Sequence, residues 1–157
     1  MAGCKEPRTI SKDTPTVKHD SLKIVYHKLN GKDIYDEMII LKELKTKEYS
    51  KFIYYYKNLQ EDNDTIIAYK DSIFINSKKV TLLKEKDFSI TNGKIRIKKY
   101  AVDNTYSSSN LYINDRNELV VVRSISSNVV VHYYNRNDPS DLPSQIISDS
   151  LFFRPEW

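Results

Sequence analysis

The sequence predicts an α+β domain, mainly antiparallel β, arranged as a meander sheet able to roll up or close as a barrel, with one or two helices in 33–59 and a short C-terminal helix. Three observations carry that reading. From Ser21 onward short apolar-rich segments alternate with turn residues. Asn92-Gly93 and Asp115-Arg116-Asn117 separate segments whose alternating residues match across the turn. A chain of 157 residues is long enough for one sizeable core and shows no composition break that would mark a second.

Residues 1–20 are polar, contain Pro7 and Pro15 and have no periodicity, so they read as a flexible tether ahead of a single globular domain over 21–157. Next, 33–59 place Ile34, Met38, Leu41 and Leu44, then Tyr49, Phe52, Ile53, Tyr56 and Leu59, at a spacing closer to 3.6 than to 2. Asp33, Asp36 and Glu37 at the start, with Lys42, Lys45 and Lys47 later, suit a helix dipole. Against this, Tyr54-Tyr55-Tyr56 favours a strand.

Strands are expected at 65–69 and 73–75, joined by Lys70-Asp71-Ser72. The hairpin over 88–97 is expected to turn at Asn92-Gly93 in a type I′ geometry, setting Ile90 opposite Ile95 and Phe88 opposite Ile97. A second hairpin, 111–123, turns through a three-residue loop with Asn117 left-handed, so that Ile113 meets Leu119 and Leu111 meets Val121. Tyr112, Val120 and Val122 make its other face apolar too, which predicts cover on both sides. The segment 129–134 then pairs back after Ser126-Ser127-Asn128. Near the end, Ser140 or Asp141 is placed to cap a helix with Pro143 in its first turn and Ile146, Ile147 and Leu151 inward, stopped by Arg154-Pro155.

Composition limits the partners. Lys, Ile, Asn and Tyr are abundant whereas Gly and Ala number three each, a pattern that AT-rich codons also produce. The net charge of +4 comes from 25 cations offset by 21 interspersed anions, so no nucleic-acid partner is expected. The longest apolar runs, such as Met38-Ile39-Ile40-Leu41, fall far short of the ~20 residues of a membrane span.

Cys4 is the only cysteine, so no internal disulfide can form. Ala2-Gly3-Cys4 resembles the end of a bacterial lipobox, in which small residues precede the cysteine that is acylated. The resemblance covers three residues, with Met1 where that family usually carries Leu, and implies a signal peptide already removed and a lipid anchor on Cys4. The sixteen polar residues after it would span roughly 20–25 Å as a coil, enough to hold a domain clear of a membrane. Lys5-Glu6 is similar to the charged export signals of Bacteroidota lipoproteins, although Pro7 and Arg8 depart from their acidic pattern. The implied location is the cell envelope, at the periplasm or outer membrane, with the cytoplasm as the alternative.

Sequence signatures of chemistry are absent: no G-x-S-x-G, Walker A loop, G-x-G-x-x-G or H-E-x-x-H occurs. Three glycines leave almost nothing to build a phosphate loop. His27 and His132 lie on expected strands and are the histidines open to a hydrolytic role, partnered by a serine of Ser107-Ser108-Ser109 or an aspartate. Half-buried strand histidines with one satisfied nitrogen are the plainer reading. Glu61-Asp62-Asn63-Asp64 and Asn135-Arg136-Asn137-Asp138 are similar to calcium loops but lack the glycine and distal glutamate, and read as turns. No metal or other cofactor is expected.

Alternation directs Lys94, Arg96, Lys98 and Tyr100 to one side of a strand, opposite Ile95 and Ile97, as a candidate binding surface for an acidic partner or lipid headgroups. A solvated strand face is the plainer reading. The functional expectation is a non-catalytic envelope lipoprotein that binds an envelope protein or supports one at a membrane. The alternatives are an immunity protein neutralising a secreted toxin and a small envelope hydrolase using His27 or His132.

Overall fold

The protein is mainly antiparallel β, with a short C-terminal helical segment, in a computed structural model that describes residues 14–29, 33–57, 63–103, 108–135 and 141–156. The strands are β1 (Thr16–Lys28), β2 (Asp33–Lys45), β3 (Tyr49–Tyr55), β4 (Asp64–Tyr69), β5 (Ile73–Ile75), β6 (Lys78–Lys79), β7 (Thr81–Ile90), β8 (Gly93–Asp103), β9 (Ser108–Asn114), β10 (Leu119–Ser124) and β11 (Val129–Asn135). Two short helices follow, α1 (Leu142–Ser148) and α2 (Ser150–Phe153).

All eleven strands form one sheet in the order β6-β5-β4-β3-β2-β1-β11-β10-β9-β8-β7. The order places β6 and β7 at opposite edges, yet only Val80 separates them in the chain. The sheet must therefore curl until its edges meet, giving a nearly closed barrel. Parity requires the same: with every neighbouring pair antiparallel, β6 and β7 run in the same direction. They act as one strand that changes partner at Val80. That residue is buried in the interior core, and its N–H donates to the carbonyl of Ile73 at 3.0 Å.

Two apolar clusters lie on opposite sides of the wall. The interior holds Leu22, Ile24, Ile39, Leu41, Phe52, Tyr54, Ile66 and Leu111 among others. Outside, Phe88, Ile95, Ile97, Tyr112, Val120, Val121 and Val130 pack under Leu142, Ile146, Phe152 and Phe153 of the helices. The double cover that the sequence predicts for β9 and β10 is therefore present, and the helices supply it.

The helices expected in 33–59 are replaced, over the described part of that segment, by β2 and β3. In β2, Ile39 and Leu41 point inward while Met38, Ile40 and Leu44 occupy the alternate phase, so apolar residues on both faces imitate a helical period. The acids read as helix-dipole partners act across strands: Asp36 pairs with Lys23 at 2.8 Å, and Glu37 accepts from the Tyr26 hydroxyl at 3.4 Å. In β3 Phe52 and Tyr54 face the core, and Tyr56 continues that alternation just past the strand's end.

Smaller shifts have local causes. The β7–β8 turn is Thr91-Asn92, with Gly93 at φ +135° opening β8, so Phe88 faces Ile95 and Ile90 faces Gly93. The slip from the expected pairing is two residues, which keeps every side chain on its face. In the β9–β10 hairpin Asn117 is left-handed (φ 65°) and Ile113 meets Leu119, as predicted. A bulge after Leu119 then pairs Leu111 with Val122 instead of Val121, and turns Val120 and Val121 both outward.

Leu151 is 74% exposed instead of inward, because the helix breaks at Asp149 and restarts. Asp149 caps the restart by accepting from the Phe152 N–H at 3.0 Å, which presents Phe152 and Phe153 to the sheet. Asp141 stands at the N-cap of α1 without a side-chain cap bond, and Ser140 lies outside the described residues. Residues 16–20, expected within the tether, belong instead to β1 and pair with β2, while 1–13, including Cys4, lie outside the described residues. Among the described residues no helix is long and apolar enough to cross a membrane.

Candidate functional site

One end of the barrel, where β1, β3, β5, β8 and β10 finish, opens into an interior cavity of about 300 Å³. Its walls are apolar, with Ile66, Ile75, Val102, Leu111, Val122 and Val131 contributed by six strands. Strand alternation puts these residues inside, and curling of the sheet brings them together. The volume sits at the lower end of the ~300–1,000 Å³ typical of small-molecule sites.

A polar chain lies along one side. The Tyr56 hydroxyl donates to Asp64 Oδ2 at 2.8 Å, and its oxygen lies 3.0 Å from the Tyr133 hydroxyl. Asn76 donates through Nδ2 to Asp64 Oδ1 at 2.9 Å, and its Oδ1 accepts from the Thr65 N–H at 2.8 Å. Asn76 holds a left-handed backbone (φ 47°) in the β5–β6 turn, which aims the amide at Asp64. Burial pushes the phenols of Tyr56 and Tyr133 far above the ordinary tyrosine range, with Asp64 adding to it, so both stay protonated. Tyr26 is raised likewise, by burial first and then by its neighbours Tyr35 and Glu37. Tyr54 completes the interior: its hydroxyl accepts from the Leu119 N–H at 2.9 Å, and its ring meets that of Tyr133 edge-on at 5.6 Å.

The structure brings His27 and His132 together on the opposite, outer face of the wall. Their Nε2 atoms are 2.5 Å apart, and His132 Nδ1 lies 2.9 Å from the Tyr134 hydroxyl. They line a cleft of about 400 Å³ with Lys23, Val25, Tyr134 and Ser144. Of the serines considered as partners, Ser109 lines the interior cavity, on the other side of the sheet, and Ser107 lies outside the described residues.

Lys94, Arg96, Lys98 and Tyr100 do share a face, but it is the inner face of the barrel wall. Tyr100 is 6% exposed within the interior core and offers no surface. The hairpin tip extends past β9, whose pairing with β8 begins at Ile97, so Lys94 and Arg96 reach solvent. Arg96 is taken up by Asp87 at 2.8 Å and Glu85 at 3.5 Å.

Sequence reading missed the cavity's polar chain. Tyr56, Asp64 and Asn76 are brought together by the pairing of β3, β4 and β5, whereas Tyr133 on β11 reaches them only because the sheet curls. Asp64 stood out solely as the last member of an acidic cluster. Lys99 was missed as well: it is fully buried and donates to the carbonyls of Phe152 (3.0 Å) and Arg154 (2.5 Å) and to Glu156 Oε2 (3.1 Å). Among the described residues no group of three His, Cys, Asp or Glu side chains converges as a metal site.

No known protein family matches the chain, and no curated protein matches it.

Proposed function

We propose that the protein is a non-catalytic binding protein which holds a small, mainly apolar molecule inside its barrel, and that Cys4 anchors it at a bacterial cell envelope. The observation that carries this reading is the interior cavity, apolar on its walls with a few hydrogen-bonding groups gathered on one side. That combination is what small-molecule sites in barrels provide: burial supplies affinity and the polar groups supply orientation. Placement at the envelope rests on Ala2-Gly3-Cys4 and the polar residues that follow.

Native mass spectrometry of the protein purified from its own cells under non-denaturing conditions tests both halves. The expected spectrum shows a bound species lost on unfolding, together with acyl chains on Cys4. A protein that carries nothing and regains no mass from a lipid extract of the same cells would overturn the binding reading; an unmodified Cys4 would overturn the anchor.

A further inference from the structure

The polar chain in the cavity has a direction, and the direction selects the ligand. A carboxylate can only accept, so the single proton of the Tyr56 hydroxyl is committed to Asp64. The 3.0 Å contact between the phenol oxygens then needs its proton from Tyr133, and Tyr133 donates to Tyr56. Once that proton is spent, the Tyr133 oxygen can only accept. Tyr26 repeats the arrangement with its hydroxyl directed at Glu37. The polar groups deeper in the cavity therefore present acceptor oxygens backed by carboxylates, while the donors in its lining, the amide of the exposed Asn76 and the hydroxyl of Ser109 at the start of β9, belong to the rim.

We propose that the cavity takes an apolar molecule bearing a hydroxyl or amino donor, which hydrogen-bonds to the Tyr133 oxygen, and that it rejects carboxylates such as fatty acids. A carboxylate placed there would meet lone pairs instead of donors, with the Asp64 charge behind them in a poorly screened interior. A ligand with no polar group would leave the Tyr133 acceptor unmatched, forfeiting the part of the affinity that orients it.

The inference rests on the barrel interior being a ligand site, and calorimetry with three bicyclic probes separates the two claims. 2-Naphthol has the donor, 2-methoxynaphthalene has the same oxygen without it, and 2-naphthoate carries the anion. The expected order is 2-naphthol about 10-fold tighter than the methyl ether, as one hydrogen bond supplies, with no measurable binding of 2-naphthoate. Tyr133→Phe should bring 2-naphthol down to the level of the methyl ether while leaving the ether's own affinity unchanged, which also shows that the variant is folded. Equal binding of naphthol and ether, or preferential binding of the naphthoate, overturns the donor rule and leaves the ligand site standing. Absence of binding by all three overturns both.

Discussion

Tyr56 and Tyr133 lie 77 positions apart in the chain and place their hydroxyl oxygens 3.0 Å from one another inside the barrel. Because the proton of Tyr56 goes to Asp64 and that of Tyr133 goes to Tyr56, the two phenols are unequal. Tyr56→Phe strips Asp64 of a donor and Tyr133 of an acceptor, and should cost about 2–3 kcal/mol. Tyr133→Phe removes one neutral bond and should cost about 1 kcal/mol. Urea unfolding of the two variants checks the order; a costlier Tyr133→Phe would reverse the assigned direction of the chain.

Lys99 fastens the C-terminal tail to the outer wall through two carbonyls and Glu156, and its ammonium also sits 5.8 Å from the Tyr112 ring centroid. Lys99→Met should therefore destabilise by about 3 kcal/mol, as expected when one partner of a buried pair is removed. Lys98→Met, one residue away on the opposite face, should cost far less. Hydrogen exchange should show the loss concentrated in α2 and the residues after it.

Acid should loosen the same tail. Hydrogen bonding from Lys84 chiefly, with Lys99 and Arg154 adding, lowers the Glu156 carboxyl to about 2. Asp149 is lowered as well, by Lys86 first and then by the Phe152 N–H that it caps. Both groups are depressed on folding, so their stabilisation is complete above the unfolded carboxyl range near pH 4.5 and fades as pH falls from there toward about 2. Glu156→Gln should flatten the fall in melting temperature across that window. An unchanged slope would show that the carboxylate is not what holds the tail.

The break between α1 and α2 predicts opposite sensitivities at adjacent positions. Leu151→Asp should alter stability by less than about 0.5 kcal/mol, as exposed substitutions do. Phe152→Ala should cost about 3–5 kcal/mol, because its ring packs against Phe88 and Tyr112 beneath the helices. Chemical denaturation of the pair checks this, and a continuous helix with Leu151 inward would give a large loss at 151.

How much was legible in the sequence followed from how local the signal was. The left-handed Asn117, the strand at 129–134 and the short helix behind Pro143 are set by neighbouring residues, and they came through. The β2 segment did not, because a barrel strand with Met38, Ile40 and Leu44 on its outer side loses clean alternation. Nor could Lys94, Arg96, Lys98 and Tyr100 be read as facing the interior, since which side of the hairpin is covered depends on helices more than forty residues downstream. The cavity was illegible for the same reason in stronger form: Tyr56, just past β3, and Tyr133 on β11 are separated in the sheet by β2 and β1, and they meet only once that sheet has curled.

Methyl NMR of the protein titrated with 2-naphthol tests the central claim most directly. The account predicts saturable shifts at Val122 and Val131, which line the interior cavity, and none at Val25, which lines the outer cleft beside His27 and His132. Shifts at Val25 with the interior methyls unmoved would contradict it and move the working site to the histidine face.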